Sequence, residues 1–434
     1  MIRHVSRRDV LGTTAKLAVA ASFAMDYAAA AHAEAVKPGN ARTPSQLDAT
    51  LRAATRSGDL PGVVALAATD KGIAYEGVFG SRRLGTGLGA GPGMTRDTVF
   101  RIASMVKAIT SVAALQLVEH EKLSLDAPAP AVDPALDAPM VLDGFDAAGK
   151  PQLRPPKRPI TLRHLLTHTC GFTYRLWDAK AVAYYKAVAR LPAAAKTAAP
   201  RTPLMFDPGE RWQYGAGLNW VGRIVETISG EPLDIYFRRH ILDPLGMKDT
   251  AFVASPQQRA REASVHRREP DGLLKPLPME KQIARQIFSG GGGIYSTAPD
   301  YLSFLRMLML GGALEGVRIL RPETVALMGE NQIGELEMGV LRTTNPALSN
   351  NVDFFPGTGR KWGFGHMITM QAGPDGRGAG SLTWGGLFNT YYWIDPAKQV
   401  AAVFMTQVLP FADDRALRVY HQFERGIYSA VKSS

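Results

Sequence analysis

Phe100-Arg101-Ile102-Ala103-Ser104-Met105-Val106-Lys107-Ala108-Ile109-Thr110-Ser111-Val112-Ala113-Ala114-Leu115-Gln116-Leu117-Val118 sets a serine and a lysine three residues apart where a helix begins. The apolar residues at 106, 109, 112–113 and 117 follow a helical period. Ser104 then falls in the first turn and Lys107 one turn later on the same face. A helix start offers unpaired backbone N–H groups and partial positive charge, which favour a developing oxyanion and a deprotonated lysine. A serine and lysine so placed can serve as nucleophile and base, provided the lysine is neutral. Bringing its pKa from about 10.4 to near 7 means about 3 units, or roughly 4 kcal/mol, so the amine must be desolvated and set in positive potential. The same tetrapeptide also fits a serine that merely caps an amphipathic helix, so the rest of the chain has to decide.

Upstream, Ser45–Arg56 has a helical pattern with an N-cap signal at Thr43-Pro44. Val63–Thr69 and Ile73–Gly80 are β-rich runs joined around Asp70-Lys71-Gly72, a hairpin signal. Downstream, residues 126–285 are rich in Pro, Ala and Leu, with helical stretches at Ala179–Ala189 and Leu218–Ser229 and no clear run of paired strands. The glycine run from Ser289 to Gly293 lacks the G-K-[ST] ending and the G-x-G-x-x-G context of phosphate loops, so it predicts a tight backbone passage into a helix at Pro299–Leu310. Late strands are expected at Gly363–Gln371, Ser381–Trp384, Asn389–Asp395 and Val400–Thr406, then a closing helix at Asp414–Val431. Strands at both ends and helices between them predict an α/β (α+β) fold. A sheet lobe is built from residues 34–125 and 286–434, and a mainly helical lobe from 126–285 is inserted in it.

The N-terminus reads Ser6-Arg7-Arg8-Asp9-Val10-Leu11, a mildly apolar stretch to Ala24, and Ala31-His32-Ala33 before Glu34. That is the pattern of a twin-arginine export signal over residues 1–33, which predicts handling by the twin-arginine machinery and a periplasmic or secreted destination. Leu17–Ala24 is too short for a stable membrane span. Removing 1–33 lowers the formal charge from +11 to +9 through the loss of Arg3, Arg7, Arg8, Lys16, Asp9 and Asp26. The remaining basic residues are scattered without aromatic interleaving, which argues against nucleic-acid binding. Cys170 is the only cysteine, so no intramolecular disulfide forms, and with no thiol partner in view it reads as a small core or loop residue. The nine histidines show no metal-ligand spacing, so neither metal nor cofactor is expected.

Three separated elements combine: Ser104-Met105-Val106-Lys107; Asp207-Pro208-Gly209-Glu210-Arg211-Trp212-Gln213-Tyr214-Gly215-Ala216-Gly217-Leu218-Asn219; and Leu382-Thr383-Trp384-Gly385-Gly386-Leu387. In this order they resemble the serine β-lactamase and penicillin-binding-protein superfamily, most closely its class C-like branch of family VIII carboxylesterases. Leu165–Gly171, Asp243–Met247, Tyr295–Ala298 and Trp362–Gly365 support the resemblance, which spans roughly residues 45–430. It implies the β-lactamase/transpeptidase-like fold, an antiparallel sheet flanked by helices with a helical insert. It also implies a Ser104 acyl-enzyme, with Lys107 and Tyr214 moving the proton. Whether lysine or tyrosinate is the base stays open. The oxyanion hole would be the backbone N–H groups of Ser104 and Leu387, worth roughly 3 kcal/mol per donor.

Two departures bear on the substrate. Ala216 stands where β-lactamases of this type carry the Asn of Y-x-N, and Trp384-Gly385-Gly386 replaces their K-T-G, removing an amide contact and a cation. Each loss is worth about 1.5–3 kcal/mol, enough to weaken β-lactam turnover. Trp384, Gly385 and Gly386 are then substrate-binding candidates, although Trp384 also fits ordinary strand packing. Phe172, Tyr174, Trp177, Tyr184, Tyr185 and Phe388 are candidates for an apolar pocket. The expectation is a serine carboxylesterase for a small ester. A β-lactamase, D,D-peptidase, D-amino-acid amidase or acyltransferase of the same fold is the alternative, with a non-catalytic binding protein last.

Overall fold

The structure, a computed structural model, describes residues 45–432 apart from 86–90, 137–138, 199, 201, 280–287 and 358. The export reading of residues 1–33 and the Thr43-Pro44 cap signal lie outside the described residues. The main elements in chain order are α1 (Ser45–Arg56), β1 (Gly62–Thr69), β2 (Gly72–Gly80), α2 (Val106–Glu119), α3 (Gly217–Ser229) and α4 (Ala298–Met309). They are followed by β3 (Arg360–Trp362), β4 (Met367–Thr369), β5 (Leu382–Gly386), β6 (Thr390–Asp395), β7 (Val400–Met405) and α5 (Asp414–Lys432).

The seven strands form one sheet in the order β3-β4-β5-β6-β7-β1-β2, every pair antiparallel. Val64 opposite Met405 and Thr69 opposite Val400 fix how the N-terminal hairpin joins the C-terminal strands. Successive side chains of β6 alternate between the two faces. Tyr391 and Trp393 meet Tyr420 and Phe423 of α5, whereas Tyr392 meets Tyr301 of α4. Both faces are therefore covered, which is why β1, β6 and β7 read as continuous apolar runs rather than alternating ones. One hydrophobic core holds residues from Leu47 to Tyr428, and a satellite of Leu142, Ala181, Tyr184, Met205 and Phe206 lies under the insert.

α2 is buried on every side from Val106 to Leu117. Such a helix needs its polar groups answered internally. Thr110 Oγ1 donates to Gly290 O at 2.7 Å, and Gln116 Nε2 donates to the His240 and Ile319 carbonyls at 3.1 Å each. α2 packs against α3, whose start carries the residues that follow Tyr214.

Two expectations are corrected. The middle of the chain does contain paired strands: Val141–Phe145 with Pro151–Arg154, and His266–Arg268 with Leu274–Pro276, the latter joined in parallel by Val408–Leu409. These runs are only two to five residues long and carry no period-2 apolar pattern. The first is set instead by its turn, where Asp146 Oδ1 accepts from the Ala148 and Lys150 amides and Gly149 takes φ +76°. The single strand expected over Gly363–Gln371 is β4 alone. It follows a turn in which Gly363 N donates to His366 O at 2.9 Å and Gly365 takes φ +88°, and β3 lies before that turn. Among the described residues no helix is long and apolar enough to cross a membrane.

Candidate active site

Phe100–Arg101 pairs with Tyr295–Ser296, and Ile102 N donates to Ile294 O at 3.2 Å. The chain then turns sharply. Ala103 takes φ +44°, a left-handed conformation that costs a non-glycine residue energy and recurs where function fixes the backbone. Ser104 lies in the 3-10 turn Ala103–Met105 that runs into α2, not in the first α-helical turn, and Lys107 is the second residue of the helix. The three-residue spacing still brings Lys107 Nζ to 3.0 Å from Ser104 Oγ.

Lys107 is fully buried, and among the described residues no carboxylate forms an ion pair with it. Its amine donates to the Gly291 carbonyl at 2.6 Å and lies 5.0 Å from the centre of the Tyr214 ring and 5.4 Å from that of Tyr174. Burial alone brings its pKa down from 10.5 to about 7. Positive potential, expected beside desolvation, adds nothing to this shift. The glycine run is the tight passage expected of it. A Cβ on Gly290 would stand 2.3 Å from Leu218 O, and one on Gly291 2.0 Å from Asn219 Oδ1, so only glycine lets this backbone reach the lysine.

Tyr214 is buried, and its hydroxyl accepts from Trp384 Nε1 at 3.2 Å and lies near enough to Ser104 to feel its hydroxyl. Burial pushes the phenol above its ordinary range, against the opposing pull of these two partners. At rest Tyr214 is thus a phenol, and the Lys107 amine beside Ser104 Oγ is largely unprotonated above about pH 7. Beyond strand packing, the Trp384 indole N–H faces the phenol oxygen. If that donor steadies charge on the oxygen, Trp384→Phe should lower kcat roughly 10- to 150-fold, the worth of a hydrogen bond to a charged group at about 1.5–3 kcal/mol. KM should hardly move, and steady-state ester kinetics will check both values.

β5 brings Gly385 and Gly386 against the Ser104 turn. A Cβ on Gly386 would stand 2.3 Å from Ile102 O and 2.4 Å from Thr390 Oγ1. Gly386→Ala should therefore push the strand from the turn, destabilise by about 1–3 kcal/mol and lower ester turnover, as urea unfolding and kinetics will show. Leu387 follows at the strand's end and is half-buried. Among the described residues, neither its amide nor that of Ser104 donates to another protein group.

Of the expected pocket aromatics, Tyr174 and Trp177 meet the Tyr214 ring at 5.5 and 5.3 Å between centroids. Phe172 stacks instead on Trp220 at 5.5 Å, and its carbonyl sits where a Cβ on Gly215 would fall. Phe388 lies half-buried in the turn after Leu387, its carbonyl accepting from Val408 N. Tyr184 and Tyr185 are corrected out of the site, since they pack on each other with the satellite cluster. Cys170 is a buried core residue whose thiol burial pushes up to about 12.

Several groups at the site had no separate reading in the sequence. Asn219 follows the amide-less Ala216 by three residues, accepts from Tyr174 OH at 3.2 Å and faces Gly291. Its signal was the i,i+3 spacing at the start of α3. His168 lies against Tyr214 and Trp362 against Trp384, each at 4.7 Å between centroids. On the α5 side of the sheet, ligand atoms of Asp375, His421 and Glu424 come within 4.8 Å of one another. Glu424 is already held by Arg377 at 2.7 and 2.5 Å and Asp375 by Arg425 at 3.3 Å, so a cation there would meet two guanidinium groups.

A seven-stranded antiparallel sheet whose β5 closes on a Ser-Lys turn, with a tyrosine entering from the insert, is the β-lactamase/transpeptidase fold. The sequence model of the Beta-lactamase family matches residues 47–426. The chain belongs to the beta-lactamase family. Its relatives include the ML-236A carboxylate methylbutanoyltransferase of Penicillium citrinum, 32% identical over 411 residues that cover 89% of this chain and 95% of that one. The lovastatin esterase of Penicillium rubens is 32% identical over 402 residues, covering 88% and 98%. Among solved structures, unliganded simvastatin synthase (LovD) from Aspergillus terreus superposes with a TM-score of 0.77 at 31% identity, covering 89% of this chain and 98% of that one. This beta-lactamase family member is an enzyme of the hydrolase or acyltransferase type.

Proposed function

We propose that the protein is a serine carboxylesterase working through an acyl-enzyme on Ser104. The observation that carries this reading is the buried Lys107 amine, without a carboxylate partner and 3.0 Å from Ser104 Oγ. Ser104 gives its proton to Lys107 as Oγ bonds to the ester carbonyl carbon. The carbonyl oxygen becomes an oxyanion facing the Ser104 and Leu387 amides. On collapse the ester C–O bond breaks, and the leaving alkoxide takes the Tyr214 proton. A tyrosinate then stands beside the Lys107 ammonium and the Trp384 N–H. In the second half water attacks the acyl carbon and returns a proton to Tyr214, and Ser104 recovers its proton from Lys107 as the acid departs. The proton count closes, and each carrier is left as it began.

Esters suit this machinery better than β-lactams. An alkoxide is a better leaving group than an amide nitrogen, and an indole at Trp384 supplies no cation for a drug's carboxylate. A second reading, acyl transfer to an alcohol, is favoured by one observation: the rings of Tyr174, Trp177 and Trp384 surround Tyr214, an apolar setting in which an organic alcohol competes well with water. The methylbutanoyltransferase relative supports it.

Hydrolysis of p-nitrophenyl butyrate beside nitrocefin tests the first reading, with Ser104→Ala as control. Fast ester turnover that vanishes in the variant, with slow nitrocefin turnover, is expected; efficient nitrocefin turnover would refute it. Adding 1-butanol and measuring butyl butyrate against butyrate decides between water and alcohol as acceptor. We also propose export by the twin-arginine route, for which the mass of protein recovered from the periplasm should begin after Ala33; an uncleaved chain in the cytoplasm would refute it.

A further inference from the structure

The turn Gln213-Tyr214-Gly215 has no helix or strand of its own to hold it, yet the Tyr214 hydroxyl must reach Ser104. A single residue grips the turn on both sides of the tyrosine. Gln213 N donates to the His168 carbonyl at 3.0 Å, and Gly215 N donates to His168 Nδ1 at 3.4 Å. The imidazole also packs on the Tyr214 ring, with centroids 4.7 Å apart and planes at 61°, and is held from behind by Trp362 and Trp212 at 5.0 and 6.1 Å. The carbonyl of Tyr214 itself accepts from Tyr174 N at 3.5 Å, so the lateral freedom of the ring is controlled through its neighbours.

We propose that His168 is a positioning residue for Tyr214, clamping the peptide groups on either side of it so that the phenol stays on Ser104. The arrangement is costly to keep. His168 is fully buried with φ +59°, and among the described residues its Nε2 has no hydrogen-bond partner. A strained backbone and an unanswered buried nitrogen persist only where the surroundings enforce them. The acceptor role requires a bare Nδ1, so the proton of the neutral ring sits on Nε2. Burial keeps the ring from protonating and the acceptor intact. From its left-handed backbone His168 meets the same turn with both its carbonyl and its δ nitrogen. Asparagine tolerates that backbone and carries an oxygen at the same number of bonds from Cα as Nδ1. Leucine has comparable bulk and no acceptor.

The inference rests on Tyr214 acting in acyl transfer, so its test carries one readout independent of turnover. In the full chain, amide exchange at Gly215 and the acylation rate with p-nitrophenyl butyrate are measured for wild type, His168→Leu and His168→Asn. In His168→Leu, Gly215 exchange should rise about tenfold or more and acylation should fall roughly 10- to 100-fold, with KM within about threefold, as expected for a misplaced catalytic group. His168→Asn should restore protection and most of the rate. A folded His168→Leu that acylates at the wild-type rate would overturn the clamp. So would a His168→Asn that leaves Gly215 unprotected or does not fold. If His168→Leu alone fails to fold, the comparison of His168→Asn with wild type decides. Turnover surviving in Ser104→Ala would instead remove the acyl-enzyme reading and leave the exchange result to judge the clamp.

Discussion

Lys107→Met is expected to yield a protein that is more stable and catalytically dead. The native pKa of about 7 lies below the 10.5 of the exposed amine. Between those two values the unfolded chain holds a proton that the folded chain lacks, so stability rises with pH through that window. The penalty of burying this lysine is therefore fully present below about pH 7 and gone above about pH 10.5. At full strength it is about 5 kcal/mol. Methionine has similar length and no charge, so the variant should exceed wild type by several kcal/mol at pH 6, and the gap should close toward pH 10. Urea unfolding of both proteins at the two pH values measures it. The same proton governs turnover. Wild-type kcat/KM should climb about tenfold per pH unit below 7 and level off above, because only the neutral amine can take the Ser104 proton. Equal stability of the two proteins at pH 6, or a flat pH profile, would contradict a lysine held neutral by burial.

Tyr214→Phe carries the second large effect, a loss of roughly 10²- to 10⁴-fold in kcat if the phenol is the proton donor to the leaving group. The size should depend on what leaves. A p-nitrophenolate departs without help, whereas the alkoxide of an alkyl butyrate needs the proton, so alkyl esters should suffer far more than aryl esters. Parallel kinetics on p-nitrophenyl butyrate and ethyl butyrate test this, and an equal loss on both would move Tyr214 from proton donor to a purely structural place. The fold should survive with a modest loss of stability, about 1–3 kcal/mol, because Trp384 Nε1 loses its acceptor in a buried setting.

Much of the sheet was legible because it is buried on both faces. β1 and β7 are unbroken apolar runs, and the closing helix α5 declares itself by periodicity; their bounds agree with expectation to within a residue or so. The short hairpins at 141–154 and 266–276 were not legible, since strands of three to five residues leave no period and are held by turn chemistry and neighbours. The site divides in the same way. Ser104, Lys107 and Tyr214 could be found because two short motifs name them, and the structure brings all three together. The Gly291 carbonyl on the lysine and the grip of His168 on the Tyr214 turn are long-range contacts. No local pattern encodes them, for each depends on segments more than forty residues apart in sequence meeting in space. Trp384 lies between these cases. Its motif marked it, but only the fold shows that the indole N–H faces the phenol oxygen.

A covalent acyl group on Ser104 is tested most directly by the intact mass of protein quenched in acid during turnover of p-nitrophenyl butyrate. A species heavier by one butyryl group is expected, mapped by peptide analysis to Ser104 and missing from Ser104→Ala. Turnover at full rate with no acylated species at any quench time, or an acyl group mapped to another residue, would contradict it.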